Sequence, residues 1–583
     1  MKRVLIPAGI LVALASILAA GTFVTRLTAD DDHRRSDHDR FEFKPDTLVL
    51  SRSVYGGTAT TVTIGQTLPP GCVATTVVLP TLAKPPAPST TNVTVTCAKA
   101  VDDGEYPNLA DAHNVWNNNG ADGSFGVTSP IFLDNLTTDG KLLGTLPVPT
   151  GNLVTSFSSK SELALNRSTD GRSITFVGYH GGPNFVTGPN QLDVSNSNTP
   201  GVVDPSNPVV SQYYRTVAEV DADGNLHFTD GNAYSGNNGR AAIKANWTYF
   251  LTGNDNNGGL SSKAEKPLQT GLTNTQVGVN LITSTGAELL VPGQTPPLPP
   301  NINMIGDFEV TQIGYGTADK PGKDNNFRGL TIFKNTMYVT KGSGGNGVNT
   351  VYQVGNAGTL PTGTTADLEK LPITVLPGFP NTLASGVAQD GTKGHPIAFP
   401  FGIWFANDHT LYVCDEGDGT HVTPAAANGN VADAVTLATA GVQKWSLVKG
   451  TWTLDYVLQN GLNLGFPYAV ANYPVAINPA TDGCRNITGR NNHDGTVTIY
   501  AVTSTISANG DQGADPNKLV KVTDLLKATT LPAGDGDHDR DDSREQFTTI
   551  RTANAGEVLR GVAFAPTDRD ADDDHDGGDR DER

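Results

Sequence analysis

The sequence predicts an all-β chain arranged as a β-propeller of six blades, closed by pairing of its N- and C-terminal strands. Three observations carry that expectation. The composition leaves little room for helices, since the 583 residues include 65 Gly and 37 Pro and only 17% are charged. Such a profile belongs to chains of short strands and frequent turns. A phrase of four short strands recurs along the chain, and its last copy has to be assembled from both ends.

The clearest copy spans residues 401–458, where FGIWFAND, TLYVCDEG, GVQKWSLV and TWTLDYVL follow one another. Each is a β-branched and aromatic run, and Asn-Asp, Gly-Asp-Gly and Lys-Gly turn signals separate them. Four consecutive antiparallel strands of this kind form one propeller blade. The phrase returns over 328–377 (RGLTIFKN, TMYVTKGS, NTVYQVGN, PITVLPG) and over 485–553 (RNITGRNN, GTVTIYAVTS, KLVKVTD, FTTIRTA). It appears again over 162–231 (ELALNRSTDGR, SITFVGYHGG, RTVAEVDADG, NLHFTDG), with Asp223-Gly224 as a hairpin turn. A looser copy begins at RAAIKANWTYFLTGN and continues through VGVNLITSTGAELLV to FEVTQIG. For the sixth, LRGVAFAP (559–566) supplies the inner strand to LVLSRSV (48–54), SPIFLDNL (129–136) and KLLGTLPVP (141–149). This pairing removes two sheet edges that would otherwise template aggregation. Seven blades result if the irregular stretch 255–327 holds another.

The phrases MYVTKGSGGNGVNTVYQV and TLYVCDEGDG resemble those of YVTN-type and NHL-type propellers of exported bacterial proteins. The resemblance spans most of residues 45–566 and implies architecture alone, because such propellers serve enzymes, binders and surface proteins alike.

Residues 1–25 read as a signal peptide or an N-terminal anchor: Met1-Lys2-Arg3 is followed by an uncharged apolar run and then Ala19, Ala20 and Gly21. A secreted or periplasmic protein is expected, meeting a membrane only through that anchor. Residues 26–44 then form a linker, 45–566 the propeller and 567–583 an acidic tail. An insertion at 55–125, read as a small β-ribbon, interrupts the first blade, and an acidic loop occupies 533–545. Cys72 and Cys97 flank a Pro/Thr/Val-rich segment and are expected to form a disulfide in an oxidising compartment. For Cys414 and Cys484, a bridge and two buried thiols fit equally. The net charge of −19 sits largely in Asp/Arg/His runs at 30–40, 535–545 and 568–583, which lack apolar anchors and read as disordered. Asp535, Asp537 and Asp539 alternate as in a calcium loop, but Arg540 stands where that loop needs Gly and Gln546 where it needs Glu. Ca2+ is thus the one cofactor the sequence raises, and no cofactor is specified. No basic stripe accompanies the acidic excess, which disfavours nucleic acid. A monomer is expected.

In a propeller, the loop entering each inner strand and the loop leaving each second strand share the face around the central channel. At the inner-strand entries stand Arg240, Arg328, Arg485 and Arg560, with Phe401 and Leu163 in the other two copies. The second-strand exits add His180, Lys341 and the run Asp415-Glu416-Gly417-Asp418. Guanidinium groups grip carboxylates and phosphates bidentately, so Arg240, Arg328, Lys341, Arg485 and Arg560 form a candidate site for an anionic small molecule or extracellular partner. The same arginines could instead pair with neighbouring carboxylates such as Asp415, Glu416 or Glu557 and lock blade to blade. Catalytic signatures of the Gly-x-Ser-x-Gly, His-Glu-x-x-His and Walker types are absent. The catalytic candidates are His180, Asp415 and Glu416, with His395 the other histidine that could act as a general base, and the metal candidates are Asp415, Glu416 and Asp418. Binding leads the functional readings. A metal-assisted esterase, lactonase or phosphatase follows, and then a surface or matrix protein whose acidic tails take up calcium.

Overall fold

A computed structural model describes residues 41–54, 67–68, 73–81, 89–95, 98–99, 128–156, 159–180, 197–200, 212–254, 279–283, 302–306, 308–319, 324–342, 345–392, 398–418, 439–473, 475, 478–507, 515–532 and 545–568. The N-terminal signal or anchor, most of the linker, Cys72, Cys97, His395, most of the acidic loop and nearly all of the tail lie outside these residues. Among the described residues no helix is long and apolar enough to cross a membrane.

Along the chain, β1 (Leu48–Val54) is followed in the insertion by β2 (Thr67–Leu68), β3 (Thr75–Thr81), β4 (Ser89–Val95) and β5 (Ala98–Lys99), with β3 paired to β4 and β2 to β5. Next come β6 (Thr128–Ser129), β7 (Ile131–Leu136), β8 (Leu142–Pro147), β9 (Leu153–Ser156), β10 (Asn166–Arg167), β11 (Ser173–His180), β12 (Arg215–Asp221) and β13 (Leu226–Gly231). A meander of β14 (Gly239–Ala245), β15 (Thr248–Gly253), β16 (Val279–Thr283) and β17 (Ile302–Met304) forms one sheet. Another is made by β18 (Leu330–Phe333), β19 (Thr336–Lys341), β20 (Thr350–Val354) and β21 (Ile373–Val375). Then come β22 (Pro400–Asn407), β23 (Thr410–Asp415), β24 (Gly441–Val448) and β25 (Thr451–Leu458), followed by β26 (Ala480–Asn491), β27 (Thr496–Ile506), β28 (Lys518–Leu525) and β29 (Thr548–Thr552). Finally β30 (Glu557–Phe564) returns to pair with β1, giving the sheet β30-β1-β7-β8 from the two ends of the chain.

The result is an all-β propeller in which, among the described residues, five sheets have the regular four-strand form, against the six or seven blades expected. The difference lies between residues 128 and 231. There the inner strand β10 is only two residues long, and β9 occupies the rest of the inner edge of β11, pairing Val154 with Tyr179 and Leu153 with His180. Gly178 admits this intruder, since a side chain there would meet the carbonyl oxygen of Val154 at 2.5 Å. With β6 added beyond β9, the sheet has six strands. A second departure concerns FEVTQIG, expected as a fourth strand. It forms a 3-10 turn at Val310–Ile313 ended by Gly314 at φ 104°, with Val310 buried against Val348 and Leu383, while β17 takes the ladder position beside β16.

Alternating apolar residues of each sheet pack against those of its neighbour. Ile243 and Phe250 meet Leu330, Met337 and Val339, and Leu411 and Val413 meet Val351. Inner strands approach most closely where a glycine stands at the sheet's entry. A methyl group on Gly329 would lie 1.7 Å from the carbonyl oxygen of Phe401. Hydroxyl groups fix the same junctions. Thr340 on β19 donates to the Phe401 carbonyl at 2.6 Å, Ser51 to that of Leu163 at 2.8 Å, and Thr175 to that of Ala242 at 2.8 Å. In β23, TLYVCD aligns with TMYVTK of β19 and puts Cys414 where Thr340 stands. The hydroxyl contact is there replaced by a disulfide to Cys484 on β26, with the Cα atoms 5.2 Å apart. This closes the choice between bridge and free thiols. The same two sheets share a buried ion pair. Lys444 Nζ lies 2.9 Å from Asp524 Oδ2 and donates to the Leu525 carbonyl at 2.6 Å, while Tyr412 and Tyr456 donate their hydroxyls to Asp524.

Removing one partner of such a satisfied buried pair exposes the other to an apolar interior, and Asp524→Ala should lower stability by about 3–5 kcal/mol in denaturant melts. Replacing both Cys414 and Cys484 by Ala, which frees a closed loop of sequence separation 70, should lower it by about 4 kcal/mol on chain-entropy grounds. A variant as stable as the parent would remove the bridge from the account of this junction.

Candidate functional site

The inner strands are not smooth. Between β14 and β15 the partners run Gly239 to Gly253 and then Ala241 to Thr252, so Arg240 has no opposite number. Arg485 is skipped in the same way between Cys484 and Asn486 on β26, and Arg560 between Leu559 and Gly561 on β30. Each is the extra residue of a β-bulge, a device that bends a strand and re-aims one side chain. Arg328 stands just before β18, its N–H donating to the Thr340 carbonyl at 2.7 Å. On β22 the corresponding irregularity holds Phe401, and the Arg328 guanidinium lies 5.4 Å from its ring centre.

Arg328, Arg485, Arg560 and Phe401 line one cavity together with Lys160 and Ser161. The remaining arginine joins through Ser161, whose hydroxyl accepts from both Arg240 and Arg328 Nη1, the latter at 2.5 Å. Arg560 donates to the Ser53 hydroxyl at 3.0 Å and to the carbonyl of Ser159. Arg485 pairs with Glu416 at 3.0 Å, joining the last regular sheet to the one before it. All these guanidinium groups are therefore tied into the protein, and little solvent reaches them.

The stretch 159–162, between β9 and β10, is the second partner in this arrangement. Its Ser159 and Ser161 meet the arginines, and Glu162 is buried behind them. Glu162 accepts hydrogen bonds from the Thr155 hydroxyl at 2.6 Å, the Ser156 N–H at 3.0 Å, Asn238 Nδ2 at 2.5 Å and the Tyr179 hydroxyl. Burial and the adjacent Glu162 carboxylate hold the Tyr179 phenol well above its usual range. Arg560 is pushed down to about 10, chiefly by burial, with Glu162 opposing the fall and Arg485 adding to it. The chain leaves this segment through Leu163, a buried non-glycine residue at φ 62°, a conformation that costs energy and persists only where its surroundings enforce it.

The other candidates fall at separate places. Lys341 is fully buried, its ammonium 3.2 Å from Asn349 Oδ1 and pushed down to about 7 by burial and by Arg328, with Asp324 and Asp319 opposing. Asp415 is also fully buried. It accepts from the N–H groups of Phe399 (2.8 Å) and Gly417 (3.0 Å) and from Gln443 Nε2 (2.8 Å), and so caps the turn leaving β23. Glu416 is engaged by Arg485, and Asp418 is exposed. The metal cluster expected from these three carboxylates is not assembled: among the described residues no three His, Cys, Asp or Glu side chains are placed to share an ion. His180 ends β11 with Nδ1 3.2 Å from Asp230 Oδ2, and the Thr216 hydroxyl donates to Asp230 Oδ1 at 2.6 Å. Sequence reasoning singled out His180 but missed Asp230, Ser161 and Glu162. The polar run SSKSE ahead of an expected inner strand was the available signal for the last two.

No protein family matches the chain, and no curated protein matches it in sequence. Among solved structures, the chain is similar to the parainfluenza virus 5 hemagglutinin-neuraminidase ectodomain (9% identity, covering 88% of this chain and 89% of that one, TM-score 0.29). It is also similar to a functionally unknown protein from Desulfotomaculum acetoxidans (10% identity, 73% and 85% covered, TM-score 0.26) and to the N-terminal domain of Nup159 (6% identity, 74% and 86% covered, TM-score 0.24). Likenesses this weak carry no argument, and the fold stands on its strand pairing.

Burial pushes the Asp415 carboxyl up to about 7, against the pull of the Phe399 and Gly417 N–H groups and with added repulsion from Glu416 and Asp418. Its folded value thus lies above its unfolded value near 3.8. Stability from the protonated form is complete below that lower value and is lost as pH rises towards 7. Asp415→Asn, which mimics the neutral acid, should therefore gain on the parent between pH 4 and 7 in denaturant melts and keep a constant margin above that. A margin independent of pH would sink this assignment.

Proposed function

We propose that this protein is an extracytoplasmic propeller that binds an anionic ligand or partner at the arginine-bearing mouth of its channel, without catalysing a reaction. The gathering of Arg328, Arg485, Arg560 and Lys160 around one cavity, with Arg240 joined to it through Ser161, in a chain of net charge −19, is the observation that carries this reading. A recess lined by one sign of charge between low-dielectric walls focuses its field outward and draws in the opposite sign. The guanidinium groups act as the fixed source of that field, and Lys160, half-buried at the cavity, is the group that an arriving anion would meet.

Three finer expectations belong to the same proposal. The six-stranded sheet serves as a sixth blade, a reading supported by apolar clusters that join Phe176 to Val49 and Ile131 on one side and Val177 to Ala242 and Leu251 on the other. The blade phrases align the protein with exported propellers of YVTN and NHL type, and residues 1–25 supply the export signal or tether. Cys72 and Cys97 pair in the oxidising compartment this implies.

Retention of the purified chain on immobilised polyphosphate or alginate tests the binding reading. Affinity should fall steeply with salt, and Lys160→Glu should weaken it roughly tenfold. Failure to bind either polyanion, or binding indifferent to Lys160→Glu, would count against it.

A hydrolase is the second reading, favoured by the carboxylate that orients His180. Asp230 beside Nδ1 holds the ring in place, as an orienting acid does for a general base. Turnover of nitrophenyl esters or phosphates that vanishes in His180→Ala and drops sharply in Asp230→Asn would establish it, and a parent enzyme with no turnover would end it.

A further inference from the structure

Lys341 ends β19 with its side chain removed from solvent, eight residues from Asn349, which stands just before β20 and is 3% exposed. The hairpin register sets Lys341 opposite Thr350, so the turn delivers Asn349 to the lysine's side. Lys341 Nζ lies 3.2 Å from Asn349 Oδ1. That oxygen is one carbonyl bond, about 1.2 Å, from the carboxamide carbon. An amine and an electrophilic carbon are thus held close to near-attack range.

The surroundings favour reaction over a resting hydrogen bond. Burial and Arg328 push the Lys341 ammonium down to about 7, with Asp324 and Asp319 opposing, so at neutral pH much of the side chain is the neutral amine that acts as a nucleophile. Asn349 Nδ2 is buried and has no hydrogen-bond partner among the described residues, a costly state for an amide donor. Asp324 is buried as well, its Oδ2 accepting from the N–H groups of Val310 at 3.3 Å and Asp319 at 3.2 Å. Gly347 shows how closely these groups meet, since a methyl group there would stand 2.6 Å from the Asp324 carbonyl oxygen and 3.1 Å from Lys341 Cε. The half-buried Asp319 fixes that glycine by accepting its N–H at 2.8 Å.

We propose that Lys341 and Asn349 are joined by an intramolecular isopeptide bond, made by the folded chain itself with Asp324 as the proton carrier. Neutral Nζ attacks Asn349 Cγ, the Nζ–Cγ bond forms and the Cγ–Nδ2 bond breaks. One proton passes from Nζ through the Asp324 carboxyl to Nδ2, and ammonia leaves, so atoms and charge balance with no oxidant or co-reactant. A neutral amide then replaces a buried cation and an unpartnered amide nitrogen, which removes both desolvation costs. The bond staples the end of β19 to the start of β20, and it stands or falls independently of anion binding at the channel mouth.

Tryptic digestion of the denatured full chain decides the matter. Because the bond masks the Lys341 amine, trypsin should not cut after it, and residues 335–370 should appear as one peptide lighter by one ammonia than its sequence. Thermolysin, cutting ahead of Val348, should then leave the pieces that carry Lys341 and Asn349 joined. Asn349→Ala should restore cleavage after Lys341. Asp324→Asn should leave Lys341 largely cleavable, and Asp324→Glu should regain the block. Peptide 335–341 released in full from the parent would overturn the proposal even if ammonia were missing from Asn349, since a succinimide there leaves Lys341 open to trypsin. Complete bonding in Asp324→Asn would overturn the proton route.

Discussion

Seven paired positions between β1 and β30 join the two ends of the propeller, from Leu48 opposite Phe564 to Val54 opposite Glu557. Sheets arranged about an axis have no first or last member only if that seam holds, and each sheet contributes to the axis through its inner strand. Here the inner strand of the seam sheet comes from the C-terminal region, so Arg560 reaches the channel only once the chain has folded back on its beginning. Charge reinforces the seam: Arg52 on β1 bonds Asp134 on β7 and Glu557 on β30, and Arg551 of the preceding sheet also reaches Asp134. Ring closure and assembly of the arginine cluster are therefore one event.

At the axis, three features occur together. A bulge turns a residue out of the ladder, an arginine occupies that position, and a glycine beside it lets the neighbouring inner strand come close. Arg560-Gly561 has this form, Arg328-Gly329 keeps the arginine and glycine just ahead of its strand without the bulge, and Phe401-Gly402 keeps the glycine while an aromatic ring replaces the charge. Burying several guanidinium groups side by side is costly unless their donors are satisfied. The Ser161 hydroxyl accepts from Arg240 and Arg328, the Ser159 carbonyl from Arg560, and Glu416 takes Arg485, while in the same sheet the inner edge of β11 is shared by β9 and the short β10.

Strand phrases were legible because their signal is local: alternation and turn residues placed β22 to β25 and β18 to β21 where they are found. The closing pairing of LRGVAFAP with LVLSRSV was legible by elimination, since one lacked outer strands and the other an inner one. The nearness of Arg328, Arg485 and Arg560 was legible from position within the phrase. Bulges were not, because an extra residue is defined against a partner strand that the sequence does not align. For the same reason the intrusion of β9 beside β11 could not be read, since it depends on the absence of a side chain at Gly178 across a non-local contact. FEVTQIG looked like a strand by composition, and only Gly314 hinted at its turn. Asp415 looked like a ligand because its neighbours are acidic. Three donors converging on it from Phe399, Gly417 and Gln443 make it a turn cap instead, which no reading of one segment could reveal.

The exchange of Thr340 for Cys414 at equivalent positions makes one junction covalent among several held by hydroxyl contacts. Tension applied to the two ends of the chain would act first on the β1–β30 seam and peel sheets away from either side. The sheets stitched by Cys414 and Cys484 lie inside that path, and the stitch removes the length between them from the extensible contour until the bond is reduced. Under load the molecule would thus unravel around a welded pair, with a reach set by redox conditions.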